Sequence, residues 1–443
     1  MQHLKLILTA TLGTALEWAE YTFFAYMADQ LSTKFFSITD PSAARLKTYA
    51  IFATGYFMRP LGAILFGTLG DKIGRKPALV GAMSLMAFAT TAIGFLPTYA
   101  DIGIYAALLL MSCRLLQGLA VAGEFNGAAV FMLEHIETRP FWIGCFIPFA
   151  ATLGMVFGGL TATITALPNM PDWAWRFPFW FSGVGFLIAL YLRQSLTETP
   201  AFKAFLKAQT QFSASGPGLA PTPTKSTHTF PLFSVFKENK KALFTTMAMA
   251  MFVTVYVYIG NIYYKTLSIQ VGGLPPNIAS QIITFGQLLA ASLTVVFGFF
   301  ADRLGGKRMC LTGLLIAMAC GPIIMIFART GDITFTLIGQ IIYAVINALV
   351  SATFMALIIK PFQIQNRYTG SSFAWSISAA LFGGTALMVS EWLTSYLEFT
   401  QGPGLYMSLV ALIAFVSIRK GSSLFSGHPH KVEGVKSGFW TPS

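Results

Sequence analysis

Charge is what this chain most conspicuously lacks. Only 10% of its 443 residues are Asp, Glu, Lys or Arg, against about 25% in an ordinary soluble protein. So few charges cannot cover a water-soluble fold of this size, so most of its surface faces something other than water. Histidine is scarce as well. His3, His135, His228, His428 and His430 all lie away from the middle of the apolar runs, which argues against a metal or histidine centre working inside them. The four cysteines, Cys113, Cys145, Cys310 and Cys320, have no paired spacing and sit in apolar stretches. They read as small buried residues, not as a disulfide or metal framework. No G-x-x-x-x-G-K-[ST] segment occurs, so a P-loop-driven pump is disfavoured. The net charge of +12 comes from short clusters of Lys and Arg between apolar runs. With no basic arm or stripe, it is not a nucleic-acid signal.

What the chain has instead is apolar length. Apolar and aromatic residues make up 55%, with 41 Phe, and the mean hydropathy is +0.65. The pattern predicts twelve helices at about 6–28, 48–69, 77–96, 103–132, 141–166, 175–193, 242–265, 277–300, 309–328, 333–358, 369–390 and 403–419, each long enough to cross a bilayer. Met1–Leu8 has a weak signal-peptide look, but the apolar pattern continues to about Met27 and carries Glu17 and Glu20. It is read as an uncleaved first span. The expected fold is an all-α membrane protein with two pseudo-symmetric six-helix bundles. Residues 1–193 form the first bundle, 194–241 a linker, 242–419 the second bundle and 420–443 a short tail. The linker contains the Ser/Pro/Gly-rich segment Ser213–Thr224, whose composition suits a flexible connection.

With the N-terminus placed in the cytoplasm, 21 Lys and Arg fall on the cytoplasmic side and six outside. Arg59 and Arg114, within spans, complete the 29. That bias predicts cytoplasmic termini. The halves also repeat. Gly67-Thr-Leu-Gly-Asp-Lys-Ile-Gly-Arg-Lys76 lies between spans 2 and 3, and Gly298-Phe-Phe-Ala-Asp-Arg-Leu-Gly-Gly-Lys307 between spans 8 and 9. Gly67/Gly298, Asp71/Asp302, Gly74/Gly305 and Lys76/Lys307 share one offset, and Lys72/Arg303 is conservative. Repeated halves around a central site are a transporter design.

These loops resemble the G-x-x-x-D-x-x-G-R-K signature of the major facilitator superfamily. Ala15-Leu-Glu-Trp-Ala-Glu-Tyr21 is similar to the A-L-E-W-[FY]-D-F start of its metabolite:proton symporters, which include bacterial proline/betaine, 2-oxoglutarate, citrate and shikimate transporters. Arg59-Pro-Leu-Gly62, Phe66-Gly67, Arg114-Leu-Leu-Gln-Gly118, Ala122-Gly-Glu124, Trp175-Arg-Phe-Pro178, Glu198-Thr-Pro200 and Phe382-Gly-Gly-Thr-Ala386 continue the pattern. Glu20 stands where the group has Asp, Ala19 replaces an aromatic residue, and Gly306 replaces an Arg. The tail has no heptads, unlike the coiled coil of the osmosensing members. The resemblance implies proton-coupled uptake of a small metabolite through the bacterial inner membrane. The chain is expected to be no enzyme, to use no cofactor or metal beyond the coupling proton, and to act as a monomer.

A charge at mid-bilayer costs about 2.5–3.5 kcal/mol on the lenient insertion scale, so each buried charge needs a reason. At 1.5 Å per residue, Glu17 and Glu20 lie roughly 16 and 21 Å above the cytoplasmic edge, and Arg114 roughly 16 Å below the outer edge. A span-1 acid and Arg114 are therefore expected to meet near the midplane as the proton-coupling group. Depth favours Glu17, and the resemblance favours Glu20. Gln117, Arg59 and Tyr21 join Arg114 as expected substrate contacts, with Tyr256, Asn261, Asn347 and Trp375 from the second half. Asp71, Arg75, Lys76, Glu124, Glu134, Glu198, Asp302 and Arg303 are the expected gate, with Asp71 capping a facing helix N-terminus. The second loop lacks the Arg, so its latch should be the weaker. Arg114 beside acids suits a carboxylate or a zwitterion; a dicarboxylate would want a second cation, Arg59 or Lys265. A proton-driven exporter of the same fold is the rival reading. Its G-P-x-x-G-G pattern lacks the Pro here, in Gly154-Met-Val-Phe-Gly158-Gly159. A membrane-embedded enzyme is the other.

Overall fold

A computed structural model describes residues 2–36, 41–136, 138–165, 167, 169–194, 198–204, 206, 207 and 231–421. The Ser213–Thr224 segment and the tail beyond Gly421 lie outside the described residues. Those residues form helices joined by turns, with no strand among them. Twelve long helices match the twelve expected spans. Span 1 is Gln2–Tyr26, span 2 Pro41–Lys72, span 3 Arg75–Phe95, span 4 Ile104–His135 and span 6 Phe177–Gln194. Span 5 is Pro140–Thr165, span 7 Lys240–Gln270, span 8 Pro276–Leu304 and span 9 Gly306–Ala328. Span 10 is Ile333–Ile359, span 11 Ile364–Thr394 and span 12 Gly402–Lys420. Nine of them are long and apolar enough to cross a membrane by length and composition among the described residues. Leu, Ile and Phe side chains along their outer faces, such as Phe57, Phe88, Leu187 and Leu304, are exposed, as lipid contact requires.

Within the first half, span 1 packs on span 5, and span 2 on span 4. Glycine makes both seams. A Cβ on Gly118 would strike the carbonyl of Gly55, and one on Gly62 the carbonyl of Leu119, so spans 2 and 4 touch backbone to backbone. A Cβ on Gly154 would strike the Ala15 carbonyl, and one on Gly158 the Thr22 hydroxyl. The Gly154…Gly158 pair is thus a small-residue packing face against span 1.

The halves meet along two pairs, span 2 with span 11 and span 5 with span 8. Two helical turns extend into the stretch expected as linker. Thr199 and Phe202 are fully buried, and Pro231–Glu238 is an amphipathic helix against span 11. Span 7 carries a π-helical turn at Tyr258–Tyr263 and span 11 one at Ala379–Gly383, an irregularity frequent at functional sites.

Candidate transport site and gate

The end carrying Lys72, Arg75 and Lys76 is sealed by two reciprocal caps. Asp71 of the first half accepts the backbone N–H groups of Tyr368 (3.2 Å) and Thr369 (2.8 Å), at the start of the main helix of span 11. Asp302 of the second half accepts those of Phe141 (3.1 Å) and Trp142 (2.9 Å), at the start of span 5. Each carboxylate meets the positive end of a helix belonging to the other half. The signature glycines make room for this. A Cβ on Gly67 would press on Thr369, and one on Gly298 on Cys145.

Arg75 binds the first cap together. Its guanidinium donates to Asp71 (2.8 Å), to Glu134 (3.2 and 3.3 Å) and to the Ile364 carbonyl of the other half (2.6 Å). Glu134 also accepts from Arg367 (3.3 Å) and from the Thr199 hydroxyl (2.8 Å). Glu198 accepts the backbone N–H of Lys76 (3.0 Å). At the second loop Arg303 lies over the Phe299 ring (4.6 Å). Tyr368 was missed in the sequence. Its ring stands where Cβ atoms on Gly70 and Gly127 would otherwise be, and its hydroxyl donates to the Gly123 carbonyl.

Deeper in, four rings form a plug across the halves. Trp18 meets Phe125 (5.4 Å between centroids), Phe125 meets Trp375 (5.2 Å), and Trp375 stacks on Phe354 (5.4 Å). Farther along toward the opposite end, the hydroxyls of Tyr56 and Tyr258 touch across the halves. Arg59 and Arg114 lie beside the second of these closures. The Arg59 guanidinium sits 4.7 Å from the Tyr21 ring centroid and 4.2 Å from that of Tyr56. The Arg114 guanidinium sits 4.4 Å from Tyr21 and 4.5 Å from Phe24. The glycine seam between spans 2 and 4 is what brings both cations to the one tyrosine. Arg59 is only 3% exposed, and neither its Nε nor its Nη2 donates a hydrogen bond among the described residues.

Arg114 donates to the Gln117 side-chain oxygen (2.7 Å) and to the Tyr21 carbonyl (3.5 Å). Gln117 in turn donates to the Thr90 hydroxyl (2.8 Å). Of the span-1 acids, Glu17 lies within electrostatic reach of Arg59, and Glu20 turns elsewhere than expected. Glu20 forms no ion pair among the described residues; Thr90 on span 3 and Ser182 on span 6 are the polar side chains that lie nearest its carboxyl. Glu17 and Glu20 line a cleft inside the first half with Gly13, Leu16, Met83 and Phe186. The cleft measures about 20 Å³, room for one water. Helix geometry explains this for Glu20: successive residues are 100° apart, so when Tyr21 points at Arg114, Glu20 points away. Glu124 is buried and lies within electrostatic reach of Glu20. Thr90 and Ser182 carried no sequence signal, being lone hydroxyls in apolar spans.

The second half contributes less to this compartment than expected. Tyr256 is buried between Phe252 (5.0 Å) and Tyr343 (5.2 Å). Asn261 donates to the Tyr343 hydroxyl (2.7 Å), and Asn347 accepts from Ser351 (3.4 Å). Tyr256 and Asn261 meet Tyr343 within the second bundle, Asn347 bonds within its own helix, and Trp375 reaches the other half. Lys265 lies on the same span 7, beyond its π-helical turn.

The family model of the Major Facilitator Superfamily matches residues 6–384. The proline/betaine transporter of Salmonella typhimurium is 28% identical over 424 residues, covering 93% of this chain and 82% of that protein. Among solved structures, the proton:xylose symporter XylE bound to 6-bromo-6-deoxy-D-glucose superposes with a TM-score of 0.76. That match is at 17% identity, over 94% of this chain and 95% of that one. The human organic anion transporter MFSD10 gives a TM-score of 0.70 at 15% identity, over 94% and 100% of the two chains.

Proposed function

Because the chain belongs to the Major Facilitator Superfamily, and is a multi-pass membrane transporter and not an enzyme, we propose that it is a proton-coupled symporter. It imports a small carboxylate-bearing metabolite, such as proline, a betaine or an organic acid, by alternating access. It acts as a monomer in a bacterial inner membrane, with both termini cytoplasmic and the proton as its coupling ion.

The observation that carries this reading is the Arg59–Tyr21–Arg114 cluster. Arg59 is buried with two of its guanidinium nitrogens, Nε and Nη2, unengaged among the described residues, beside a second guanidinium that shares its aromatic partner. A carboxylate is the acceptor that such forks fit, by paired charge-assisted hydrogen bonds. The relatives' names point the same way: one is a proline/betaine transporter and one structural neighbour a proton symporter. The halves are closed on one another by the caps at Asp71 and Asp302 and by Tyr56 with Tyr258. Loading from either side therefore requires one closure to part. Glu20 is the proton site, and Glu17 lines the same cleft.

The substrate is found by screening purified protein for thermal stabilisation by proline, betaines and organic acids, since a ligand of the native state stabilises it by mass action. Coupling is tested with Glu20→Gln in proteoliposomes. Exchange of labelled for unlabelled substrate survives, because exchange needs no net proton movement, while uphill uptake driven by a pH gradient is lost. Arg114→Ala abolishes both. Uphill uptake retained in Glu20→Gln but lost in Glu17→Gln moves the proton site to Glu17.

A further inference from the structure

The serines of span 11 fall into two pairs. Ser371 donates to the Arg367 carbonyl (2.7 Å) and Ser378 to the Met247 carbonyl of span 7 (2.9 Å). Ser372 and Ser376, as fully buried, have no hydrogen-bond partner among the described residues. Ser372 lies one turn from both Tyr368 and Trp375, the two side chains by which span 11 meets span 4. Tyr368 does so at Gly123 and Gly127, and Trp375 at Phe125. Ser376 lies two turns from Thr369, which faces Gly67 of span 2. At the same crossing, between Phe125 and Gly127, stands Asn126. It is 1% exposed, and neither its amide oxygen nor its amide nitrogen has a hydrogen-bond partner among the described residues. The serines turned to their own half are satisfied, while polar groups where the halves cross are not.

A donor or acceptor buried without a partner costs its whole desolvation, and such groups are rare enough in native proteins to need a reason. Asn126 has the most to lose, since its amide carries two N–H donors and an acceptor. A helical serine can fall back on the carbonyl one turn before it, as Ser371 does. Parting of spans 4 and 11 admits water to these groups. The penalty therefore belongs to the closed arrangement and is relieved on opening. We propose that Asn126, Ser372 and Ser376 are a built-in bias toward opening of the basic end, set against the grip of Asp71, Asp302 and Arg75. This rests on the alternating-access reading, and adds to it the element that keeps the closed state from becoming a trap. The sign is opposite to that of a latch: taking polar groups out of the seam tightens it.

The test needs no substrate. Purified full-length protein, with its own cysteines replaced, carries Met355→Cys, a position buried where span 10 borders Gly144 of span 5. In nanodiscs, the rate at which a maleimide reacts there follows the fraction open at the basic end. Asn126→Leu keeps the shape and removes the amide, and slows the reaction at least about fivefold. Ser372→Ala slows it by less, and the two together slow it more than either. Ser372→Ala combined with Ser376→Ala stands in, with the same outcomes, if the leucine variant does not fold. Ser378→Ala removes a satisfied hydroxyl and leaves the rate within about twofold. An unchanged rate in Asn126→Leu overturns the bias. So does a faster one, which would show that the amide bonds across the closed seam and clamps it, and so does equal slowing in Ser378→Ala. If Gly70→Val, whose side chain overlaps the Tyr368 ring, leaves Met355→Cys unreactive, the failure lies earlier, in the alternating-access reading, and the bias falls with it.

Discussion

Gly70 leaves the space that the Tyr368 ring occupies: a methyl group on that glycine would overlap the ring. One residue comes from the first half and the other from the second, so their fit exists only while the basic end is shut. Gly70→Val is therefore expected to hold that end open. Met355, buried where span 10 borders Gly144 of span 5, reports it. In a background without other cysteines, Met355→Cys reacts with a membrane-impermeant maleimide when Gly70 is Val and stays protected when it is Gly. Uptake falls in the same variant. Equal protection in both places Tyr368 outside the gate.

Glu134 holds two guanidiniums and a hydroxyl at once. Removing one member of a buried ion pair costs about 3–5 kcal/mol, but here the molecule can escape much of that cost by opening and wetting Arg75 and Arg367. Glu134→Gln should thus shift the population toward the state open at the basic end, beyond any loss of thermal stability. Spin-label distances between Lys72→Cys and Gln365→Cys lengthen if so. An unchanged distance distribution with a lowered Tm would make Glu134 a fold residue only.

The caps should not be equal. Asp71 is gripped by Arg75 in addition to two backbone donors, whereas Asp302 has two backbone donors, Lys360 and Arg139 within electrostatic reach, and no arginine at the position of Gly306 to bind it directly. Asp71→Asn is expected to slow exchange at least about tenfold, the equivalent of roughly 1.4 kcal/mol, and Asp302→Asn by less. Substrate affinity changes little in either, since both sit at the end of the molecule. Counterflow rates measured side by side decide the order, and a collapse in affinity with Asp71→Asn would assign it to the binding site.

Tyr21 serves two cations with one ring, and each cation–π contact in a desolvated setting is worth about 1–2 kcal/mol. Tyr21→Leu should weaken substrate binding by about tenfold or more, because both arginines lose their support. Tyr21→Phe keeps the ring and should stay within about threefold. Isothermal titration with the substrate found by thermal screening separates the two. Equal losses in both variants would assign the effect to the hydroxyl.

The number and ends of the spans were legible because a bilayer demands about twenty apolar residues per crossing and the turns between them are polar. The signature loops were legible because Asp71 and Asp302 repeat with their glycines. Which face each side chain takes was not. Glu20 and Tyr21 are neighbours in sequence, and nothing in a single sequence says which of the two looks at span 4. Thr90 gave no sign because its partner, Gln117, lies on a span distant in the chain. Tyr368 was silent for the same reason, its slot being formed by Gly70 and Gly127 from the opposite half. The roles expected of Tyr256 and Asn261 gave way because Tyr343, a neighbour in the same bundle, meets both of them.

The seam where Gly55 meets Gly118 and Gly62 meets Leu119 is main chain on main chain, with no side chain to act as a bearing. Spans 2 and 4 are interlocked at this seam, which sets the spacing of Arg59 and Arg114. In the proposed cycle the first bundle would be the palm that holds the cargo, and the bundle with Trp375 and Tyr258 the hand that lifts away.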